Sequence, residues 1–260
     1  MTSRPARPDR PDRPDEQFVW IWLPAASEPV VAGRLFRSGR VLGFEYGRSY
    51  LRNENAISLF GPEIPLEERQ HFPASTDVHG CIADAAPDSW GRRVIDLQYG
   101  GGQELDDELT YLARSGSDRI GALDFQDSPT DFVPRMAGHA SIDDLAEASA
   151  RLEADRPISQ ELKGALLYGT AIGGARPKAL IDDGPRRLIA KFSSTTDRSP
   201  VVKPDFIAMQ LAQRCGIDVA RTELTRSHER DVLLVERFDR TPSGARRAIV
   251  SALTILGLSP

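Results

Sequence analysis

One stretch constrains the fold of this 260-residue chain more than any other. From residue 166 it reads LLYGTAIGGARPKALIDDGPRRLIAKFSS, followed by a helix-like run and two apolar runs before residue 240. Residues 166–168 read as a short strand, residues 169–177 as a loop holding Gly173 and Gly174, and residues 179–181 as a second strand. Asp182, Asp183 and Gly184 make a turn, and residues 188–192 form a third strand carrying Lys191. Residues 205–215 read as a helix stopped by Gly216, because glycine takes the left-handed backbone angles of a helix end at little cost. Strands around residues 221–225 and 232–235 complete the series. Glycines without a Cβ let backbone N–H groups close on an anion. A glycine pair alone is more often an ordinary turn; the order of the elements after it carries the reading.

That order, a glycine loop, a strand lysine and then a helix with an acidic residue, is the arrangement of a protein-kinase small lobe. The strand holds the lysine so that its ammonium reaches the phosphates from a fixed direction. Composition sharpens the point. Of 33 basic residues only Lys163, Lys178, Lys191 and Lys203 are lysine, and Asn53 and Asn55 are the only asparagines. A GC-rich genome explains the bias, yet Lys178 beside the loop and Lys191 on the strand stand where phosphate contacts are needed.

The remaining sequence places this unit in a larger α+β chain. Residues 1–16 repeat proline every third position with Arg and Asp between, which favours a solvated, disordered tail. Order is expected from Phe18. Residues 18–23, 30–36 and 41–46 read as strands, the last two joined at Ser38-Gly39 with one wet face. Connections around Pro62 and Pro65 should separate this sheet from the helices after it, and Pro87 suits the front of a helix running to Tyr99. Ser141 with Asp144 opens another helix with Leu145, Ala148 and Leu152 on one face, stopped by Pro157. A boundary is expected near residues 130–142, giving units at 17–135 and 136–245, with residues 246–260 beginning a further lobe.

Composition excludes several classes. Charged residues make up 27% and the formal charge is −5. An acidic pI near 5.5 argues against direct nucleic-acid binding. No apolar run approaches membrane-helix length, the N-terminus lacks a signal-peptide apolar region, and two cysteines favour a reducing cytoplasm. His71 and His79, eight residues apart with Asp77 between, have no zinc spacing and read as solvated loop residues. Ser89 is not in a nucleophile elbow and reads as structural; Cys81 and Cys215 read as core residues. The Arg221, Arg226, Arg230 cluster reads as a solvated loop.

GTAIGGARPKALI, LIAKF, KPDFIAMQLAQRCGI and LLVERFDR, in that order, resemble the HipA-family serine/threonine kinases of bacterial toxin–antitoxin systems. PDSWGRR and the β-rich region before it resemble that family's N-terminal subdomain, so the likeness covers residues 18–258. It implies that Gly173, Gly174, Ala175, Arg176 and Lys178 face phosphates, that Lys191 binds ATP phosphates, and that the backbone from Glu236 to Phe238 meets adenine. It also implies ATP and Mg²⁺ in the complete enzyme, a protein substrate such as an aminoacyl-tRNA synthetase, and a DNA-binding antitoxin of the HipB type.

Two positions depart from the family pattern. Thr170 followed by Ala171 stands where the family has a serine whose autophosphorylation ejects the loop; Thr170 offers a hydroxyl only at the neighbouring position, so the resemblance does not carry that self-inhibition over. Asp205 stands where a glutamate partners the lysine, and it is shorter by one methylene. After Asp239 the chain has no Asp, Glu, Asn or His, so the catalytic aspartate and the Mg²⁺-holding Asp and Asn are missing from it. The expectation is an N-terminal portion of a HipA-like kinase, truncated at the start of the large lobe, with at most weak ATP binding. The competing expectation is a non-catalytic nucleotide- or antitoxin-binding module that works with a separately encoded large lobe.

Overall fold

The computed structural model describes residues 14–99, 107–136, 140–169, 176–184, 186–194, 197, 199–228 and 230–258. The aromatic run forms β1 (Glu16–Ile21), which pairs antiparallel with β2 (Val30–Ser38). Gly39, at φ +63°, turns the chain into β3 (Val41–Tyr46). Then come α1 (Arg48–Leu51), β4 (Gln70–His71), α2 (Gly80–Ala83), α3 (Ser89–Tyr99), α4 (Glu108–Arg114) and β5 (Leu123–Gln126). Strand order is β4-β3-β2-β1-β5. The prolines at 62 and 65 therefore do not end the sheet, because β4 and β5 return to its two edges.

The expected wet face of β3 is also corrected. Leu42, Gly43, Phe44 and Tyr46 are all buried. Tyr46 is held on one side, its hydroxyl donating to the Ile64 carbonyl (2.9 Å) and accepting from the Leu59 N–H (2.9 Å). On the other, Phe36 and Phe72 meet edge to face over Gly43. Val19, Ile21, Leu35, Phe44, Ile82 and Phe125 centre the first core.

The second half begins with α5 (Ile142–Glu153). Ser141 accepts from the Asp144 N–H while Asp144 reaches back to the Ser141 N–H, the reciprocal cap expected from the sequence. Residues 166–168, expected as a strand, lie instead in α6 (Gln160–Gly169). An apolar triplet has no period of its own, and here Ala165, Leu166 and Leu167 pack into a second core as a helix face. β6 (Lys178–Asp183), β7 (Arg186–Phe192), α7 (Val202–Arg214), β8 (Thr222–Ser227) and β9 (Arg230–Glu236) come next, in a sheet of order β6-β7-β9-β8. The α7 helix starts a turn earlier than expected and stops at Gly216, whose φ is +80°.

Packing crosses the boundary anticipated near residues 130–142. Trp90, Val94 and Ile95 of α3 and Tyr111 of α4 belong to the second core, with α5, α6 and the β6-β7-β9 face. Residues 246–258, expected to open a further lobe, fold back on the first half. Val250 packs on the first core, and α8 (Ala252–Leu256) is tied down by Asp84, which accepts from Ser251 N–H (2.6 Å) and Thr254 Oγ1 (2.9 Å). The Arg246 guanidinium lies 3.4 Å from the Trp22 ring centroid. The outer residues Ile255, Leu256 and Leu258 are exposed.

One buried ionic cluster stiffens the first half. Arg119 is fully enclosed and donates to Asp124 Oδ1 (2.9 Å), the Leu112 carbonyl (2.6 Å), Ser115 Oγ (2.6 Å) and the Ala85 carbonyl (3.2 Å). Burial pulls its guanidinium down to about 10, with Asp124 opposing the fall.

Candidate functional site

β6 and β7 pair so that Lys178 stands directly opposite Lys191. Directly opposed side chains in an antiparallel pair share a face. Ala179, Ala190 and Phe192 point the other way, into the second core, so the two lysines lie on the opposite face of the sheet. The α7 helix lies over that same face. Its Gln210 donates to Thr222 Oγ1 (3.3 Å), and register carries Thr222 through Val235 and Ile189 to the lysine side. Lys178, Lys191 and α7 therefore lie on one face of the second sheet.

The two lysines differ. Lys191 is half-buried, and among the described residues no ion pair joins it to Asp205. Lys203 in the first turn of α7 pairs instead with Asp231 (3.2 Å). Lys178 is almost fully enclosed, with its Nζ 2.5 Å from Asp88 Oδ2. Burial pulls the Lys178 ammonium down, and Asp88 opposes this; burial likewise pushes the Asp88 carboxyl up against the pull of Lys178. Asp88 also takes the Gly91 N–H on Oδ1 (2.8 Å), at the head of α3. The carboxylate that meets a lysine of the hairpin thus comes from the PDSW stretch, ninety residues upstream. Ser89 beside it begins α3, a structural place.

Arg176, just before β6, donates through Nη1 to both carboxylate oxygens of Asp197 (2.9 and 2.8 Å), and Asp197 also accepts from the Ser194 N–H (3.0 Å). This ties the residue before β6 to the segment after β7. Thr170, Gly173, Gly174 and Ala175 lie outside the described residues.

The stretch after β9 does more than its sequence suggests. The Glu236 and Arg237 N–H groups donate to the Arg221 and Arg187 carbonyls (2.8 Å each). The Phe238 carbonyl accepts from Arg247 Nη1 (3.1 Å), and the Phe238 ring is exposed. Arg237 and Asp239 are buried and bonded to each other (2.9 and 2.7 Å). Asp239 also accepts from the Gly121 N–H (2.9 Å) and Arg240 (2.7 Å), while Asp118 pairs with Arg237 (2.9 Å) and Arg240 (2.7 Å). ERFDR is therefore a clamp between the second sheet and the 118–121 turn of the first half. Burial works to raise the Asp118 and Asp239 carboxyls, but the two arginines outweigh it and hold both below the usual range. Sequence reasoning passes over Asp88, Asp118 and Asp239. The spacing of Arg237 and Asp239, alternate residues just past an apolar strand, is a readable sign that they share one side.

Three other expectations change. His71 and His79 are buried rather than solvated, His71 on β4 and His79 at the head of α2, while Asp77 is exposed. Burial lowers both imidazoles, and a hydrogen bond to the His71 backbone partly restores His79. Cys81 is buried, and burial pushes its thiol up; Cys215 is exposed, not a core residue, because it caps α7 on its outer side. Among the described residues no group of three or more His, Cys, Asp or Glu is placed to hold a metal, and no helix is long and apolar enough to cross a membrane.

Comparison with known proteins matches both halves of the chain. Residues 24–126 match the family described as HipA N-terminal domain, and residues 170–260 match the HipA-like C-terminal domain. A curated Sinorhizobium fredii protein named "Putative kinase Y4mE" is 28% identical over 219 residues, covering 76% of this chain and 49% of its own. A solved Shewanella oneidensis MR-1 structure, the complex of the toxin–antitoxin proteins HipA and HipB with operator DNA, superposes with a TM-score of 0.59 at 19% identity. That match covers 94% of this chain and 56% of the other. The chain thus spans about half the length of these relatives. With both halves matched in order and the fold shared across nearly the whole chain, this protein belongs to the HipA family.

Proposed function

We propose that this chain supplies the N-terminal subdomain and the nucleotide-facing lobe of a HipA-type serine/threonine kinase. The observation that carries the reading is the Lys178–Lys191 cross-strand pair, set on the α7-covered face directly after the glycine loop. Lys191, half-exposed on a strand, suits a polyphosphate; Lys178 is held by Asp88 and Arg176 by Asp197. ATP would place its phosphates between the 170–177 loop and Lys191, and its base against residues 236–238. Mg²⁺ arriving with the nucleotide would supply charge neutralisation for its phosphates. In a complete family enzyme the γ-phosphate goes to a Ser or Thr of a protein substrate, by resemblance an aminoacyl-tRNA synthetase. The neighbour solved with HipB supports an antitoxin of that type as partner.

Phosphoryl transfer also needs a base for the substrate hydroxyl and side chains for the metal. With no Asp, Glu or Asn after Asp239, these 260 residues bind nucleotide without transferring phosphate. Titration with Mg-ATP, followed by assay of label incorporation from γ-labelled ATP, tests both parts. Saturable binding without incorporation is expected; incorporation by the chain alone contradicts the second part, and absent binding the first. A second reading, a non-catalytic module docking on a separately supplied catalytic lobe, is favoured by the exposed apolar row Leu253, Ile255, Leu256 and Leu258. Self-association of the isolated chain through that row is its expected mark.

A further inference from the structure

We propose that Asp88 is a positioning residue of the nucleotide site, acting through Lys178 to hold the start of the β6–β7 hairpin that carries Lys191. This rests on the nucleotide reading above and extends it to a residue far away in sequence.

Lys178 is the first residue of β6. Its side chain is only 2% exposed, so a phosphate does not reach it as the site stands. Its ammonium is instead directed at Asp88, with Nζ and Oδ2 2.5 Å apart. A buried ammonium needs such a partner, since an uncompensated charge there carries a large desolvation cost.

The geometry also serves Lys191. Its Cα is the cross-strand partner of Lys178, and the charge of Lys191 acts on Lys178. Two unneutralised ammoniums side by side would repel. Asp88, paired with Lys178, removes that repulsion and leaves the Lys191 side of the hairpin open to an incoming anion. Asp88 itself is well fixed, because its second oxygen takes the Gly91 N–H (2.8 Å) and α3 is seated in the second core through Trp90, Val94 and Ile95. Lys178 acts through its place rather than by contact with phosphate.

A double-mutant cycle on Mg-ATP affinity tests this. Asp88→Asn keeps an oxygen for the Gly91 N–H, and asparagine is as good a helix cap as aspartate, so α3 should form. What it removes is the charge facing Lys178. Asp88→Asn and Lys178→Met should each weaken Mg-ATP binding about tenfold, and the double variant also by about tenfold, because groups that act as a unit are non-additive. Asp88→Glu should recover most of the affinity. Thermal unfolding of each variant, read separately, ensures that affinity is measured on folded protein. A purely structural pair would lower the unfolding midpoint and leave the affinity of the folded protein unchanged, which would overturn the inference. Losses that multiply to about a hundredfold in the double variant would overturn it as well. If the wild-type chain binds no Mg-ATP, the nucleotide reading falls and this inference with it. If wild type binds, Lys191→Ala abolishes binding and Asp88→Asn does not weaken it, only the inference fails.

Discussion

Replacing Asp239 with alanine should be among the most damaging single changes in this chain. Asp239 is 1% exposed and accepts from Arg237 Nε (2.9 Å) and Nη2 (2.7 Å), Arg240 Nη1 (2.7 Å) and the Gly121 N–H (2.9 Å). Its loss leaves buried Arg237 and largely enclosed Arg240 with Asp118 as their one shared carboxylate. Removing one partner of a buried ionic pair costs about 3–5 kcal/mol, because the remaining charge stays desolvated. The surviving Asp118 contacts favour the lower end, so about 3 kcal/mol is expected. For a chain of this size that corresponds to a fall of about 6–12 °C in the unfolding midpoint, at about 2–4 °C per kcal/mol. The assay is urea and thermal unfolding followed by circular dichroism, with Asp239→Asn alongside. Asparagine keeps one acceptor for Gly121 but loses the charge, so it should fall between wild type and alanine. A change of less than about 1 kcal/mol for Asp239→Ala, as for an exposed pair, would refute the view that ERFDR clamps the two halves together.

Three more outcomes rest on the same structure. Gly33→Ala would set a Cβ 2.1 Å from the Glu45 carbonyl oxygen and 2.7 Å from the Phe44 ring, so the β2–β3 pair must part; a loss of about 3 kcal/mol or more is expected in urea unfolding. Gly164→Ala is the contrasting case, a helix position with open space around it, and should raise stability by up to about 1 kcal/mol. Burial lowers His71 and His79 below 6.5, so the unfolded chain takes up protons first as pH falls. Their contribution is therefore full above about pH 6.5 and lost as pH drops through the folded values; urea midpoints at pH 7.5 should exceed those at pH 5.5, and equal midpoints would contradict the burial of both rings.

Local patterns show much of this fold. Alternating and β-branched runs locate β2, β3, β7 and β9, Ser141 with Asp144 locates the start of α5, and Gly216 locates the end of α7. Each of these is decided within a few residues of sequence. The features that escape such reading are decided across distance. Leu166 and Leu167 carry no period of their own and are helical because α6 fills the gap between α3 and α5. His71 and His79 are buried by β3 and α2 packing that no local polarity announces. The same holds at the site. Lys191 and Lys178 are visible as scarce lysines near a glycine loop, but Asp88 becomes a partner only once α3 is seated against β6's half of the molecule. Asp205 has the right place in the helix, yet among the described residues no ion pair joins it to Lys191.

The central claim is that the β6–β7 hairpin presents Lys191 to the phosphates of a nucleotide. The most direct measurement is titration of Mg-ATP against wild type, Lys191→Ala and Arg187→Ala, a charge on the same strand that is paired with Asp182. Wild type and Arg187→Ala should bind alike, and Lys191→Ala should bind at least about tenfold more weakly, the loss of one charge-assisted contact. Equal affinity for all three proteins would contradict the claim.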